Sequence, residues 1–429
     1  MINKIKKIAN TKDKKRLLSN FFSLSILQGA NYILALITLP YLVRVLGIEN
    51  YGILTLATSV IMYFGILVDY GFNTTATRSI SINRNNFGKV QEIYSAIMSI
   101  KFFLLMIALI ILIFLTSQFD YFKEYQLIYL LTFGILVGQF LFPTWLFQGL
   151  EEMKYITYIY LTFKLIFTLA LFIFVTNKDD FYLVPLLNGI GFILAGVYSI
   201  LLTRHKFQIK FSLPKSNIIK LHLSEGWNIF VASLAGNIYG QGNIILLGIF
   251  TSPLIVGYYS IAQKLTVSVV GIFQVFSQTL MPYFSNLSVL DKENFTNKIK
   301  KTLQYSIMIN IVLIGTLLLI SDFIYTLISG KNNEIGFYAF SFWLIISFFT
   351  ILNVVLHPIL ISLKQDKYMA RFYLFVSISF LIYASIFTFL YTYKGMLLSM
   401  LIVEVLILIF SIYGVIIGIK NNEKNSNNF

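Results

Sequence analysis

Long, uninterrupted runs of apolar residues constrain this chain more than any other feature. A helix needs about 20 mostly apolar residues to cross the hydrocarbon core of a bilayer. Of the 429 residues, 57% are hydrophobic and 12% are charged, and the mean hydropathy is +0.79, so a water-soluble fold would lack the polar residues to cover its apolar surface. The sequence therefore predicts an all-α integral membrane protein with about twelve transmembrane helices. The approximate cores of the predicted spans are 21–43, 53–76, 93–117, 126–149, 155–176, 182–203, 227–250, 254–284, 303–328, 335–363, 372–391 and 395–419.

Lysine and arginine residues predict how these spans are oriented. If the N-terminus lies on the inner side, the inner segments carry 25 basic residues and the outer segments carry five. The five outer residues are Arg44, Lys123, Lys178, Lys331 and Lys394. This asymmetry follows the positive-inside rule, so both termini are predicted to be cytoplasmic. Because the net charge of +15 is spread over short loops, we expect anionic lipids, and not nucleic acid, beside these residues.

The longest polar interruption divides the predicted spans into six and six. Since six is even, both halves would start from the same side, as in a parallel repeat about an axis along the membrane normal. Gly-rich and polar helices open both halves, so we expect a central cavity between them. The predicted segments are a basic inner-face lead-in (1–18), an N-terminal six-helix half (19–203), a cytoplasmic linker (204–226), a C-terminal six-helix half (227–419) and a cytoplasmic tail (420–429).

Five charged residues fall deep inside predicted spans. Lys101, Lys164 and Lys264 each lie nine or ten residues from a predicted helix end, which is roughly 13 to 15 Å at 1.5 Å per residue. Glu404 lies at a similar depth, and Asp69 lies about nine residues from the inner end of the second span. A charge at such depth costs a few kcal/mol and normally faces the bundle interior or water. The pattern predicts a hydrated pathway whose lysines attract an anionic substrate.

Other interpretations of the same residues stay open. Lysine side chains near a helix end can extend to the membrane surface, and Asp69 or Glu404 can pair structurally with a lysine. Arg78 can be an inner-face topology anchor. Asp69 and Arg78 do not pair with each other along one helix, because nine residues at 100° place them on opposite faces.

The sequence shows no residue pattern typical of a catalytic, metal or cofactor site. The chain contains no cysteine, which excludes disulfides and thiolate metal sites. We find no metal-ligand spacing, no glycine loop of the phosphate-binding type and no nucleophile beside a base. We therefore predict no catalytic residues, no metal and no cofactor, and the chain is not expected to be an enzyme.

Two motifs in the first 155 residues resemble a known family. PYLVRVLGIENYGIL (40–54), continuing through LVDYGFNTTATR (67–78) to Ser81, is similar to the N-terminal signature of Wzx-type polysaccharide flippases. These belong to the multidrug/oligosaccharidyl-lipid/polysaccharide exporter superfamily. WLFQGLEEM (145–153) resembles the end of their fourth helix. The positions that fit are Pro40, Arg44, Gly47, Tyr51, Gly52, Asp69, Gly71, Arg78, Trp145, Gln148 and Gly149.

The resemblance implies translocation of an undecaprenyl-pyrophosphate-linked oligosaccharide repeat unit across the bacterial inner membrane by alternating access. On this interpretation Arg44, Lys101, Lys164 and Lys264 line the substrate pathway. Asp69, Arg78 and Glu404 act at a gate or in coupling. Partners would be the lipid-linked oligosaccharide, anionic lipids and a polysaccharide polymerase complex.

Two alternative functions remain. A multidrug or cation antiporter of the same superfamily should favour acidic residues in its cavity, whereas this chain has three deep lysines against two acids. A membrane-embedded polysaccharide polymerase or ligase should carry a large outer loop, whereas the longest loop here is predicted to be cytoplasmic.

Overall fold

The computed structural model describes residues 12–290, 292–331, 333–363 and 365–426. Over these residues the secondary structure is helical and includes no strand, which confirms the predicted all-α class. The predicted lead-in (1–18) and tail (420–429) lie partly outside the described residues. The predicted central cavity stays a prediction.

The first half of the chain forms ten α-helices and one short 3-10 helix within its described residues. They are α1 (Lys12–Leu46), α2 (Ile48–Asp69), α3 (Phe72–Asn83), α4 (Phe87–Gln118), α5 (Asp120–Lys123), α6 (Gln126–Leu141), α7 (Thr144–Gly149), α8 (Met153–Phe174), the 3-10 helix Lys178–Tyr182, α9 (Leu183–His205) and α10 (Ser216–Gly240). Residues 12–41 and 57–234 make up a first compact unit.

The second unit comprises residues 42–56 together with the described residues from 235 to 426. Its remaining helices are α11 (Gly242–Phe250), α12 (Pro253–Leu290), α13 (Lys292–Leu319), α14 (Ser321–Ser329), α15 (Glu334–Ser362) and α16 (Asp366–Ser426). Three helices are divided between the units along the chain, and the last residues of α1 (42–46) belong to the second unit. The first residues of α2 belong to the second unit, and most of α10 belongs to the first.

Ten helices in the described residues are long and apolar enough to cross a membrane, and α10 with α11, bent by 49°, makes an eleventh candidate. The segment Arg371–Lys420 of α16 counts once among the ten, yet at 1.5 Å per residue its 50 residues would extend about 75 Å, more than twice a hydrocarbon core of about 30 Å. The helix is broken at Thr392, where φ is 55°. Its two arms fold back on each other, because Phe372 stacks on Phe410 with ring centroids 3.8 Å apart. The helices therefore accommodate twelve spans.

The burial pattern of α4 shows which face of this apolar helix packs inside the protein. Lys101, Leu105, Ala108 and Leu112 are buried, at spacings of four, three and four residues. Such spacing places them on one side of a helix. Large apolar residues on the other faces, such as Phe103, are exposed on the protein surface. A surface of this kind is stable only with lipid as its solvent.

Close backbone contact joins α6 to α9. A β-carbon added at Gly138 would overlap the backbone of Phe192, and one added at Gly134 would lie 3.2 Å from the Cα of Gly189. Small residues of this kind let helices approach closely, and packing then replaces the hydrophobic effect, which is absent between helices in lipid.

A second close contact joins the N-terminal ends of α2 and α12 within the second unit. A β-carbon at Gly52 would overlap the carbonyl of Pro253, and one at Gly257 would overlap the carbonyl of Ile48. The contact is reciprocal, since each glycine is four residues beyond the residue that its counterpart touches.

We expect Gly138→Ala to destabilise the protein because the added methyl group forces α6 and α9 apart. Overpacking of this kind typically costs roughly 1–3 kcal/mol. Gly29→Ala in α1 is the matched control, because nothing lies within 4 Å of the added carbon. Thermal unfolding in detergent should show a lower midpoint for Gly138→Ala alone. Equal midpoints for the two variants would contradict the packing of α6 on α9.

Candidate functional site

A buried ion pair lies in the first unit, between α2 and α4. The Lys101 Nζ lies 3.6 Å from Oδ1 of Asp69. Lys101 is only 5% exposed, and it lies 14 residues, or about 21 Å, beyond the start of α4. Asp69 is the last residue of α2. The structure thus gives the charge of Lys101 a direct partner, and this pairing was one of the interpretations that the sequence left open.

The helix breaks directly after Asp69. Tyr70 and Gly71 have φ values of 48° and 80°, in the left-handed region that a tyrosine rarely adopts. The Tyr70 ring stacks on Phe230 of α10, with centroids 4.8 Å apart. A β-carbon added at Gly226 would lie 2.7 Å from the Tyr70 carbonyl oxygen. The break is therefore fitted closely against the inner part of α10.

The two motifs recognised in the sequence meet at the α3–α7 contact. On α3, Thr77 lies 3.3 Å from the Gln148 side chain and donates to the Trp145 carbonyl oxygen at 3.2 Å. A β-carbon added at Gly149 would lie 2.6 Å from Cβ of Ile80. The indole of Trp145 is fully buried. These contacts give a structural reason for the presence of both motifs in one chain.

Arg78 lies on α3 beside these contacts, and its side chain is exposed. Among the described residues no carboxylate lies within ion-pair distance of it. The neighbouring Arg84, one residue beyond α3, does form an ion pair, with Glu151 at 2.8 Å. Arg78 therefore presents its charge at the surface of the first unit.

Lys164 lies on α8 and faces α1. Its ammonium group donates to the Asn31 amide oxygen at 2.5 Å and lies 5.3 Å from the centre of the Tyr160 ring. The residue is partly buried. An amide oxygen and an aromatic face both stabilise a cation in such a position.

Arg44 and Lys264 occupy different settings in the second unit. Arg44 Nη2 donates to the Leu327 carbonyl oxygen, and its side chain lies against Gly330, where α14 ends. A cation at that position satisfies a free carbonyl and interacts favourably with the helix dipole. Lys264 lies on α12 with an exposed side chain, and the described residues place no carboxylate within ion-pair distance of it.

Glu404 is buried in the second arm of α16, with 8% exposure. The Asn353 Nδ2 of α15 donates to Glu404 Oε2 at 2.7 Å and to the Glu404 carbonyl oxygen at 3.0 Å. No lysine, arginine or histidine nitrogen of the described residues lies within ion-pair distance of the carboxylate. Asn353 and Glu404 both line a cavity of about 470 Å³ inside the second unit.

Counting residues from the predicted helix ends identified these charged residues. The contacts that each one makes with other helices determine its role. Asn31, Tyr70 and Asn353 were not singled out from the sequence. A tyrosine before glycine at a helix end is a signal for the break at Tyr70. Nothing in the sequence identifies Asn31 or Asn353, because each becomes important only through contact with a distant helix.

A family model described as "Polysaccharide biosynthesis protein" matches residues 17–288. A curated relative from Shigella dysenteriae, named "Putative O-antigen transporter", is 30% identical over 92% of this chain and 99% of its own length. A relative of the same name from Escherichia coli K12 is 32% identical over 68% of this chain and 70% of its own length.

Solved structures share the fold at low sequence identity. The lipid II flippase MurJ, in an inward closed conformation, is 15% identical with a TM-score of 0.69, covering 94% of this chain and 90% of that one. An inward-facing multidrug transporter of the MATE family is 13% identical with a TM-score of 0.59, covering 92% of this chain and 99% of that one.

We expect Asp69→Ala and Lys101→Ala each to destabilise the protein, because the first leaves the buried Lys101 charge and the second leaves the partly buried Asp69 charge without its partner. Removing one partner of a buried pair costs roughly 3–5 kcal/mol. The double variant Asp69→Ala/Lys101→Ala should lose less stability than the two single variants together, as measured by thermal unfolding in detergent. Lys89→Ala, an exposed residue of α4, is the control. Additive losses would show that the two side chains do not interact.

Proposed function

Because this chain belongs to the polysaccharide biosynthesis protein family, we propose that it is a flippase for undecaprenyl-pyrophosphate-linked oligosaccharide repeat units. The substrate would move from the inner to the outer leaflet of the bacterial inner membrane by alternating access. The names of the curated relatives, which refer to O-antigen transport, support this substrate class. The shared fold with a lipid flippase is consistent with it.

The observation that carries the proposal is the state of Lys164. Its ammonium group lies inside an apolar bundle, where it donates to the Asn31 amide oxygen and lies close to the Tyr160 ring. A cation in a membrane segment is costly and is retained where it has a task. The pyrophosphate group of a lipid-linked sugar supplies the opposite charge, and the interaction is strong where water is scarce. Lys264, exposed on α12, would contribute a second positive charge.

Lys101 and Arg44 have other tasks in this proposal. Lys101 binds Asp69 and thereby fixes the inner end of α2, so it orders the pathway and leaves substrate contact to other residues. Arg44 holds the end of α14 close to the outer end of α1. Arg78, exposed on α3, is placed to meet an anionic headgroup that approaches from the inner side.

We propose that the break at Tyr70 and the Gly52–Gly257 contact are the gate elements at the inner and outer ends. The break is packed on α10, and α10 continues along the chain into α11 of the second unit. A movement of α10 would therefore separate Tyr70 from Phe230. At the other end, α2 and α12 touch through their backbones at Gly52 and Gly257, with the Ile48 side chain beside them.

We expect Lys164→Ala and Lys264→Ala each to reduce surface polysaccharide assembly by about tenfold or more, since a charged hydrogen bond contributes roughly 1.5–3 kcal/mol. The measurement is polymer on the cells of a strain that depends on this protein, at matched protein levels. Lys123→Ala in α5 is the control, because this lysine lies in an exposed loop helix. Unchanged polymer in the Lys164→Ala/Lys264→Ala double variant would contradict the assignment. Gained resistance to cationic drugs from the unmodified protein would favour the multidrug antiporter instead.

A further inference from the structure

A cavity inside the second unit is not explained by a pathway for pyrophosphate. It lies among α10, α12, α15 and α16 and has a volume of about 470 Å³. We call it the Glu404 cavity and define it by Tyr239, Gln274, Thr350, Asn353, Tyr373 and Glu404. All six residues belong to the second unit.

The size of the Glu404 cavity favours a small molecule or a chemical group of similar size. A water molecule takes up about 30 Å³ of liquid volume, so the cavity is more than ten times larger than a site for one water or one ion. Binding sites for small molecules usually measure about 300–1,000 Å³. The Glu404 cavity lies within that range.

The charge of the cavity argues against an anionic occupant. The described residues that line it include His357 but no lysine or arginine, and Glu404 is buried, with 8% exposure. A phosphate brought beside Glu404 would meet no lysine or arginine and would be repelled by an ionised carboxylate. The pyrophosphate of the proposed substrate therefore has no place here.

The cavity contains hydrogen-bond acceptors that need donors from a ligand. The Asn353 amide nitrogen is used on Glu404, but the Asn353 Oδ1 is buried and makes no hydrogen bond within the described chain. A buried carbonyl oxygen without a partner costs roughly 1–3 kcal/mol. The Glu404 carboxyl group offers further acceptor positions. A ligand with several hydroxyl groups would satisfy these acceptors.

Two tyrosines also line the cavity. Tyr239 comes from α10 and Tyr373 from the first arm of α16, and both are partly exposed. A pyranose ring has an apolar face of C–H groups that packs on aromatic rings, and its edge carries hydroxyl groups that bond to amides and carboxyls. An apolar, aromatic lining with a few placed polar groups is suited to such an amphipathic ring.

We propose that the Glu404 cavity binds an uncharged sugar of the oligosaccharide. This inference rests on the proposed function, and it makes the cavity a determinant of which repeat units are accepted. Glu404 and Asn353 bond the sugar hydroxyl groups, and the tyrosines pack on the ring. Sugars that carry a carboxylate are rejected at this position.

Saturation-transfer NMR on the full-length protein in lipid nanodiscs tests the proposal with four soluble probes. The probes are methyl glucoside, methyl galactoside, methyl N-acetylglucosaminide and methyl glucuronide. We expect saturable binding of at least one neutral glycoside and at least tenfold weaker binding of the glucuronide. Glu404→Gln and Asn353→Ala should each weaken the neutral glycoside at least tenfold. Glu334→Gln, at the exposed start of α15, should not change it.

Folding of each variant is checked by its thermal midpoint, and the near-isosteric Thr350→Val provides a further cavity variant that should weaken binding. Absence of binding by all four glycosides to the unmodified protein would overturn the proposal. So would stabilisation by sodium ions or protons alone that is lost in Glu404→Gln, because it would identify the cavity as an ion site.

Surface polysaccharide assembly in cells separates this inference from the proposed function. Assembly by the unmodified protein without glycoside binding would overturn the sugar site and leave the flippase intact. Glycoside binding without assembly would support the sugar site and contradict the flippase.

Discussion

Charge inside a medium without water is the constraint on which this structure depends. Each polar group within the bilayer needs a partner from the protein, because lipid supplies none. Asp69 and Lys101 satisfy each other across α2 and α4. Lys164 uses an amide and an aromatic ring, and Glu404 uses Asn353. These buried or partly buried charges thus have different kinds of partner, and the proposed division of tasks starts from that difference.

The same constraint explains where helices break. Irregular backbone at membrane depth is tolerated only where protein or a cavity covers it. The break at Tyr70 is covered by Phe230 and the Gly226 backbone of α10. Breaks in spanning helices are typical of transporters, in which they form sites or moving joints. The DYG motif of the sequence thus combines an ion-pair residue, a stacked tyrosine and a glycine turn in three consecutive positions.

Hydropathy and residue counting were sufficient for the fold, because about 20 apolar residues and one bilayer thickness fix each span. Counting also placed Lys101 and Glu404 in buried positions. It did not reveal that Asp69 pairs with Lys101, because the pair depends on how α2 packs against α4. Residue counting could not predict the Glu404 cavity either. Asn353 and Glu404 are 51 residues apart and come into contact only because α15 packs on α16. Sequence periodicity describes single helices, and contacts between them require the fold.

The most direct measurement of the central claim is transbilayer movement in vesicles that contain only the purified protein. A fluorescent polyprenyl-pyrophosphate disaccharide is incorporated in both leaflets, and a membrane-impermeant quencher reports how fast inner-leaflet molecules reach the outer one. The account predicts movement that is faster than in protein-free vesicles and that slows when the pyrophosphate is replaced by an uncharged linkage. Equal rates with and without protein, or the same rate for the uncharged lipid, would contradict it.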